Sequence, residues 1–297
     1  MGWVNRIRTR SRAGINPPAE FVNLDHLLHD MRLYKSKAEI RDMRKAAEIT
    51  DRAHRRAMSV CKPGLREYQI EAELRHEFMQ GGSREAAYPP IVAGGPNACV
   101  LHYTENSDVL RDGDLLLIDA GAEYGYYAAD VSRTFPVNGR FTDAQRAIYE
   151  LVLEAQSAAI AQVKPGNHWN DPHEAAVRTL TKGLLSLGLL KGQLARLLKK
   201  EAYKPFFMHR TGHWIGMDVH DVGEYKVGDE WRVLEPGMVM TVEPGLYIPQ
   251  GIKGVHKRWW NIGVRIEDDV LVTKNGCEVL SAATPKTVDA IEALMAG

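Results

Sequence analysis

Four acids in this chain occupy positions where a charge is costly. Asp119 directly follows Leu115-Leu116-Leu117-Ile118, and Glu243 follows Val239-Met240-Thr241-Val242. Both stretches read as buried strands, and a carboxylate there needs a cation, a set of donors or a proton. A second acid trails each one: Asp130 in Ala129-Asp130-Val131-Ser132-Arg133-Thr134, and Glu267 in Gly263-Val264-Arg265-Ile266-Glu267. Gly121 to Gly125 predicts a bend that folds Asp130, on a following strand, back beside Asp119. Four converging carboxylates raise one another's pKa steeply, and a pair of divalent cations relieves that repulsion. His213, set between Gly212 and Gly216, offers a nitrogen donor. One imidazole with four carboxylates favours Mn²⁺, with Co²⁺, Zn²⁺ or Fe²⁺ able to substitute.

The elements that must carry these residues occur twice. Ser36 and Glu39 form a capping box ahead of a helical pattern that stops at Lys62-Pro63-Gly64. Thr142 and Gln145 form another, ahead of a pattern that stops at Lys164-Pro165-Gly166. A further helical pattern follows each, over Glu67–Gln80 and Pro172–Leu187. Leu110–Gly121 aligns without gaps on Leu234–Gly245, each a turn, an apolar strand, a carboxylate and a glycine two residues later. The expected fold class is α+β: two helix-helix-strand halves facing each other about a pseudo-twofold axis, with a strand-terminal carboxylate from each half near it. Strand periodicity places Arg265 with Glu267, and Tyr247 with Glu243, as groups that orient the donors.

The order Asp119, Asp130, His213, Glu243, Glu267 and the strings HYTEN, LIDAGAEY, DVSRTFPVNG, GHWIGMDVHDVG, LEPGMVMTVEPGLY and VRIEDDVLVT resemble the pita-bread dinuclear metallopeptidases from about residue 36 onward. Among these the chain is similar to bacterial aminopeptidase P, the Xaa-Pro aminopeptidases. The resemblance implies a pita-bread fold and cleavage between an N-terminal residue and a following proline, with two metal ions, usually Mn²⁺. It implies that Asp119 chelates one ion, Asp130 and Glu267 bridge, and His213 and Glu243 hold the other. It further implies that His102, His209 and His220 line the cleft and steady the tetrahedral intermediate or the proline side. The chemistry fits the donor set: two cations acidify a bridging water to hydroxide and polarise the carbonyl, and Glu243 shuttles the proton.

The alternatives keep the chemistry and change the substrate, to Xaa-Pro dipeptides (prolidase) or initiator methionine, or discard catalysis for a peptide-binding pita-bread module. Such modules typically lack the metal ligands, and all five are present here. Relatives of the aminopeptidase P type carry a substantial N-terminal domain that this chain does not match. Residues 1–35, with Arg6, Arg8, Arg10 and Arg12 ahead of any acid and then Pro17-Pro18, are expected to be an extension or solvated linker, like the tail of that domain. Residues 36–297 are expected to be the catalytic domain. The oligomeric state is left open by the resemblance, a homo-oligomer included.

Composition limits the partners. With 38 Lys+Arg against 38 Asp+Glu the chain lacks the electrostatic footprint of nucleic-acid and anionic-membrane binders. Leu115–Ile118, the longest apolar run in the middle of the chain, falls far short of the roughly 20 residues of a membrane span. Cys61, Cys99 and Cys277 show no CxxC spacing, so neither a disulfide framework nor a thiolate zinc site is expected, and a reducing cytoplasm fits best. Trp259-Trp260, just ahead of the last donor strand, reads as core or as a cleft rim.

Overall fold

The protein is described by a computed structural model covering residues 2–297. Helices α1 (Gly2–Arg8), α2 (Asp25–Leu33), α3 (Lys37–Val60) and α4 (Glu67–Gln80) lead into strands β1 (Ile91–Gly94) and β2 (Leu115–Asp119). A small hairpin, β3 (Glu123–Tyr124) and β4 (Tyr127–Ala128), precedes β5 (Ser132–Pro136). Three helices follow, α5 (Asp143–Ile160), α6 (Asp171–Ser186) and α7 (Leu194–Lys199). Then come β6 (Lys226–Val227), β7 (Glu230–Trp231), β8 (Val239–Val242), β9 (Gly245–Ile248), β10 (Ile262–Arg265), β11 (Asp268–Thr273), β12 (Gly276–Val279) and α8 (Val288–Met295).

Both expected capping boxes form. The Ser36 and Thr142 hydroxyls accept the backbone N–H of Glu39 and Gln145, whose side chains accept in return from the cap N–H groups. Each box satisfies two orphan donors and fixes where its long helix begins. The helix α3 packs on α4, and α5 on α6. The last of these starts at Asp171, one residue earlier than its pattern suggested, with Pro172 at a position where no backbone donor is needed.

In the first half β2 runs antiparallel between β1 and β5, with Asp119 opposite both Ile91 and Ser132. In the second, β11 lies between β8 and β12, and β9 pairs with β10. The halves join along β5 and β10. There the Arg265 N–H donates to the Thr134 hydroxyl at 3.2 Å, that hydroxyl donates to the Arg265 carbonyl at 3.1 Å, and the Glu267 N–H donates to the Ser132 carbonyl at 3.1 Å. One apolar cluster runs through the seam, drawing Ile49 and Ala53 from α3, Leu74 from α4, Leu116 and Ile118 from β2, Val152 from α5 and Val264 from β10. Trp259 is buried in it and Trp260 packs against it, which makes the tryptophan pair core.

Two expectations change. Asp130 and Glu267 are not on strands: Asp130 stands two residues before β5, and Glu267 two after β10. Each has left the ladder, and the Asp130 N–H donates instead to the Asp269 carboxylate at 3.0 Å. That departure frees both side chains to turn toward the seam. The end of the expected linker is docked and not free in solvent: Leu33 is buried among Trp169, Trp214, Leu234 and Met238, and the Lys35 N–H donates to the Gly237 carbonyl at 2.8 Å. Burying one large apolar side chain is worth about 1.5–3 kcal/mol, enough to dock the end of α2.

Arg133 is fully buried on β5 and ties the seam from behind. It donates to Asp268 Oδ1 at 2.7 Å and to the carbonyls of Glu267 (2.6 Å), Ser132 (2.9 Å), Pro285 (3.0 Å) and Thr284 (3.1 Å). Arg133→Met withdraws one of the two cations on Asp268, which keeps Lys286 at 2.5 Å, and takes a donor from each of four carbonyls. Chemical denaturation should show a loss of about 3–5 kcal/mol, with Arg133→Lys recovering only part of it; a loss below about 1 kcal/mol would mean the seam does not depend on this guanidinium.

Candidate metal centre

Close backbone approach builds the site. A Cβ on Gly121 would lie 1.7 Å from the Ala129 carbonyl oxygen, so only glycine allows the chain after Asp119 to touch the chain before Asp130. Gly212 does the same for His213, its hypothetical Cβ falling 2.1 Å from the carbonyl of Thr241 on the strand that ends at Glu243. Asp119, Asp130, His213, Glu243 and Glu267 thereby line one cavity of about 250 Å³, together with His102, His209, His220 and Arg265.

At its centre His213 Nε2 lies 3.3 Å from Asp130 Oδ2 and 3.9 Å from Glu243 Oε1. One ligand atom each from Asp130, His213 and Glu267 falls within 4.8 Å of the others, a spacing that a single cation could span. His213 Nδ1 donates to the Trp214 carbonyl at 3.0 Å, which leaves the Nε2 lone pair of the neutral ring facing the carboxylates. That is the tautomer a metal ligand requires.

Asp119 sits at the flank. Its Oδ2 accepts from Arg265 at 2.6 Å, and its Oδ1 meets the Tyr88 hydroxyl at 2.6 Å. The same hydroxyl lies 2.5 Å from Asp130 Oδ1, so one proton is placed between two carboxylates. Arg265 also donates to Ser132 Oγ (2.8 Å) and Tyr247 Oη (3.0 Å), and Ser132 donates to Glu267 Oε2 (2.7 Å). Arg265 thus bonds Asp119 directly, whereas the Tyr247 hydroxyl meets Arg265 and His209 and none of the five expected donors. Tyr88 and Ser132 were missed. Ser132 lay within the DVSRTF string, two residues from Asp130, whereas Tyr88, just ahead of Pro89-Pro90, gave no local signal.

The electrostatics are those of a cluster short of positive charge. Burial pushes Glu267 well above the carboxylate range, helped by Asp130, Glu243 and Asp119. Burial also raises Glu243 to about 7, against the pull of His213 and Arg265. Asp119 is raised by burial in spite of Arg265. Burial alone would depress His213, but the Asp130 hydrogen bond and the charges of Asp130 and Glu243 lift it to about 9. The polypeptide thus answers its own carboxylates with retained protons and an imidazolium. Such a donor set, four oxygens and an oriented nitrogen, fits divalent cations.

The three cleft histidines differ. His209 is pushed down to about 3 by burial and the Arg265 charge; its Nδ1 donates to the Arg210 carbonyl at 2.7 Å and its Nε2 accepts from the Tyr247 hydroxyl at 2.9 Å. Both nitrogens are engaged, so it serves as a fixed neutral wall 3.6 Å from Glu243 Oε2. His220 packs edge-on to His213 with ring centres 4.3 Å apart, and burial with the His213 charge lowers its pKa. Its neighbour Asp221 is buried and clasped from α2 and the chain just after it: Arg32 reaches Asp221 Oδ1 at 2.5 Å, and Lys35 Nζ lies 3.5 Å from Oδ2. His102 is exposed on the loop between β1 and β2.

Residues 41–274 match Metallopeptidase family M24. The chain is 49% identical to the Xaa-Pro aminopeptidase of Escherichia coli (strain K12) over 292 residues, which cover 98% of this chain and 66% of that protein. The solved structure of Pseudomonas aeruginosa aminopeptidase PepP superposes with a TM-score of 0.96 at 63% identity, covering 100% of this chain and 67% of that one. Zn-substituted E. coli aminopeptidase P in complex with product superposes with a TM-score of 0.95 at 48% identity, covering 99% and 66%. The chain therefore spans just under two thirds of the length of the first of these relatives. With the α+β pita-bread architecture and a family match extending from α3 to just past β11, the chain belongs to metallopeptidase family M24.

Proposed function

We propose that the chain is the catalytic part of a metal-dependent Xaa-Pro aminopeptidase, a hydrolase that releases the N-terminal residue of peptides with proline in second place. The observation that carries this reading is the orientation of His213 Nε2 toward Asp130 and Glu267, the Nδ1–H being spent on a backbone carbonyl. The names of the relatives support the proline preference. Two divalent ions would be held by Asp119, Asp130, His213, Glu243 and Glu267, with Asp130 and Glu267 serving both. Mn²⁺ is the first choice for an oxygen-rich set, and Zn²⁺ is supported by the Zn-substituted relative. Residues 36–297 form the catalytic unit, and residues 1–35 an extension that reaches behind the cleft through Arg32 and Lys35. Three free cysteines support a reducing, cytoplasmic setting.

When bound, the cations polarise the scissile carbonyl and make water acidic enough to attack at neutral pH. Glu243 takes the proton from the attacking water and delivers it to the proline nitrogen as the carbon–nitrogen bond breaks. Arg265 holds Asp119 in place and, through Tyr247, holds His209 neutral. His102 and His220, one from each half, close on the bound peptide and donate to the carbonyl oxygen as it gains charge.

Hydrolysis of Ala-Pro-Ala, Ala-Pro and Met-Ala-Ala, compared on chelator-stripped protein with and without Mn²⁺, tests the reading. Cleavage of Ala-Pro-Ala alone, and only with metal, is expected. Cutting only Ala-Pro would make the protein a dipeptidase, cutting Met-Ala-Ala a methionine aminopeptidase, and metal binding without any cutting a peptide-binding module.

Cation binding must displace the protons on His213, near 9, and Glu243, near 7. Calorimetry in buffers of different ionisation enthalpy should show proton release at pH 7, and affinity for Mn²⁺ should climb as pH rises from about 6 to about 9. An affinity flat across that range would show that these groups are not ligands. Asp130→Asn should lower the bound metal below two ions per chain by elemental analysis; a full complement bound to an inactive variant would remove its bridging role.

A further inference from the structure

Glu67, the first residue of α4, is a fully buried carboxylate outside the metal centre, and no Lys, Arg or His pairs with it among the described residues. Four neutral donors surround it. Oε1 accepts from the Gly94 N–H at 2.7 Å and Asn97 Nδ2 at 3.0 Å, and Oε2 from the Tyr103 hydroxyl at 2.7 Å and the Asp108 N–H at 2.9 Å. All four belong to one excursion of the chain, from the end of β1 to Asp108, and the Glu67 N–H donates back to the Asp108 carbonyl at 3.0 Å. Glu71, one helical turn on, accepts at 2.7 Å from Asn106, whose side chain also bonds the Val92 N–H and the Pro90 carbonyl.

This excursion carries Leu101 and His102, which line the cavity over the five donor residues. The His102 ring is exposed and has no hydrogen-bond partner among the described residues, so its place is set by the backbone beneath it. The next residue, Tyr103, is buried and ends on Glu67. A fully buried carboxylate with four donors holds them strongly, because each bond is charge-assisted and those from Gly94 and Tyr103 are themselves buried.

We propose that Glu67, acting through Tyr103, is a positioning residue that sets His102 over the metal centre. The proposal rests on the proline-peptidase reading for its kinetic consequences, and on the hydrogen bonds alone for the clamp itself. The clamp makes α4, a helix with no residue in the cavity, part of the catalytic apparatus.

The test pairs kinetics with hydrogen exchange on the full chain. Tyr103→Phe removes one donor and leaves the ring packing intact; Glu67→Gln keeps the shape but turns an amide N–H₂ against the donors, and serves as the stronger variant if it folds. Tyr103→Phe is expected to lower kcat/KM for Ala-Pro-Ala about tenfold at unchanged metal content. In a His102→Ala background it should cost less than about twofold, since the group it positions is gone. Amide exchange over residues 94–108 should quicken while β2 and β11 keep their protection. The proposal is overturned by equal losses in both backgrounds, by unchanged kcat/KM in Tyr103→Phe, or by unchanged exchange over 94–108. If the wild-type protein cuts no proline peptide, the functional reading fails on that result, and the exchange data still decide the clamp.

Discussion

Four carboxylates share one cavity in which, among the described residues, Arg265 is the one guanidinium paired with them, and most of the structure around them answers that imbalance. In water such charges repel weakly; in a low-dielectric cleft they must find protons, donors or cations. The polypeptide supplies a partial solution through Arg265 on Asp119, the Tyr88 hydroxyl between Asp119 and Asp130, the Ser132 hydroxyl on Glu267 and a charged His213. What it leaves uncompensated appears as the raised pKa of Glu243 and Glu267. Divalent cations complete the balance, so metal binding and the electrostatic integrity of the fold are one problem.

The seam between the halves is where that balance is struck. β5 and β10 meet through Thr134 and Arg265, and the Glu267 N–H crosses to Ser132. Each half thus presents its acids from a point where the chain leaves a strand, which lets the side chains converge without burying the strand ladders' own polar groups. Arg133 on β5 braces the seam on the side of Asp268, and Arg265 on β10 faces the cavity. Loops that carry histidines then arrive from either half, one held by Glu67 on α4 and one by the clasp of Arg32 and Lys35 on Asp221. Both anchors are buried acids outside the metal centre, so the cleft walls are positioned by the same device that builds its floor.

Much of this was legible in the sequence because its signals are local. The capping boxes at Ser36 and Thr142, the Lys-Pro-Gly stops and the apolar runs before Asp119 and Glu243 each depend on residues within a few positions of one another. Asp119 and Glu243 were legible as candidate donors because a carboxylate after a buried run is an expensive feature that demands a partner. Harder to read were Asp130 and Glu267, which strand alternation placed on strands and which in fact lie just beyond them. Alternation specifies a face, but not the point where a chain abandons its ladder.

The sequence by itself determined the duplicated α+β plan, a set of candidate donor residues and the chemistry of an oxygen-rich cation site, since these follow from residue type and short-range spacing. Only the tertiary structure decided which groups keep those donors in place. Tyr88 reaches Asp119 across 31 residues, Glu67 reaches Tyr103 across 36, and Arg32 reaches Asp221 across 189. Contacts at such separations leave no periodic trace, because they are fixed by how packed elements meet and not by the dihedral preferences of neighbouring residues.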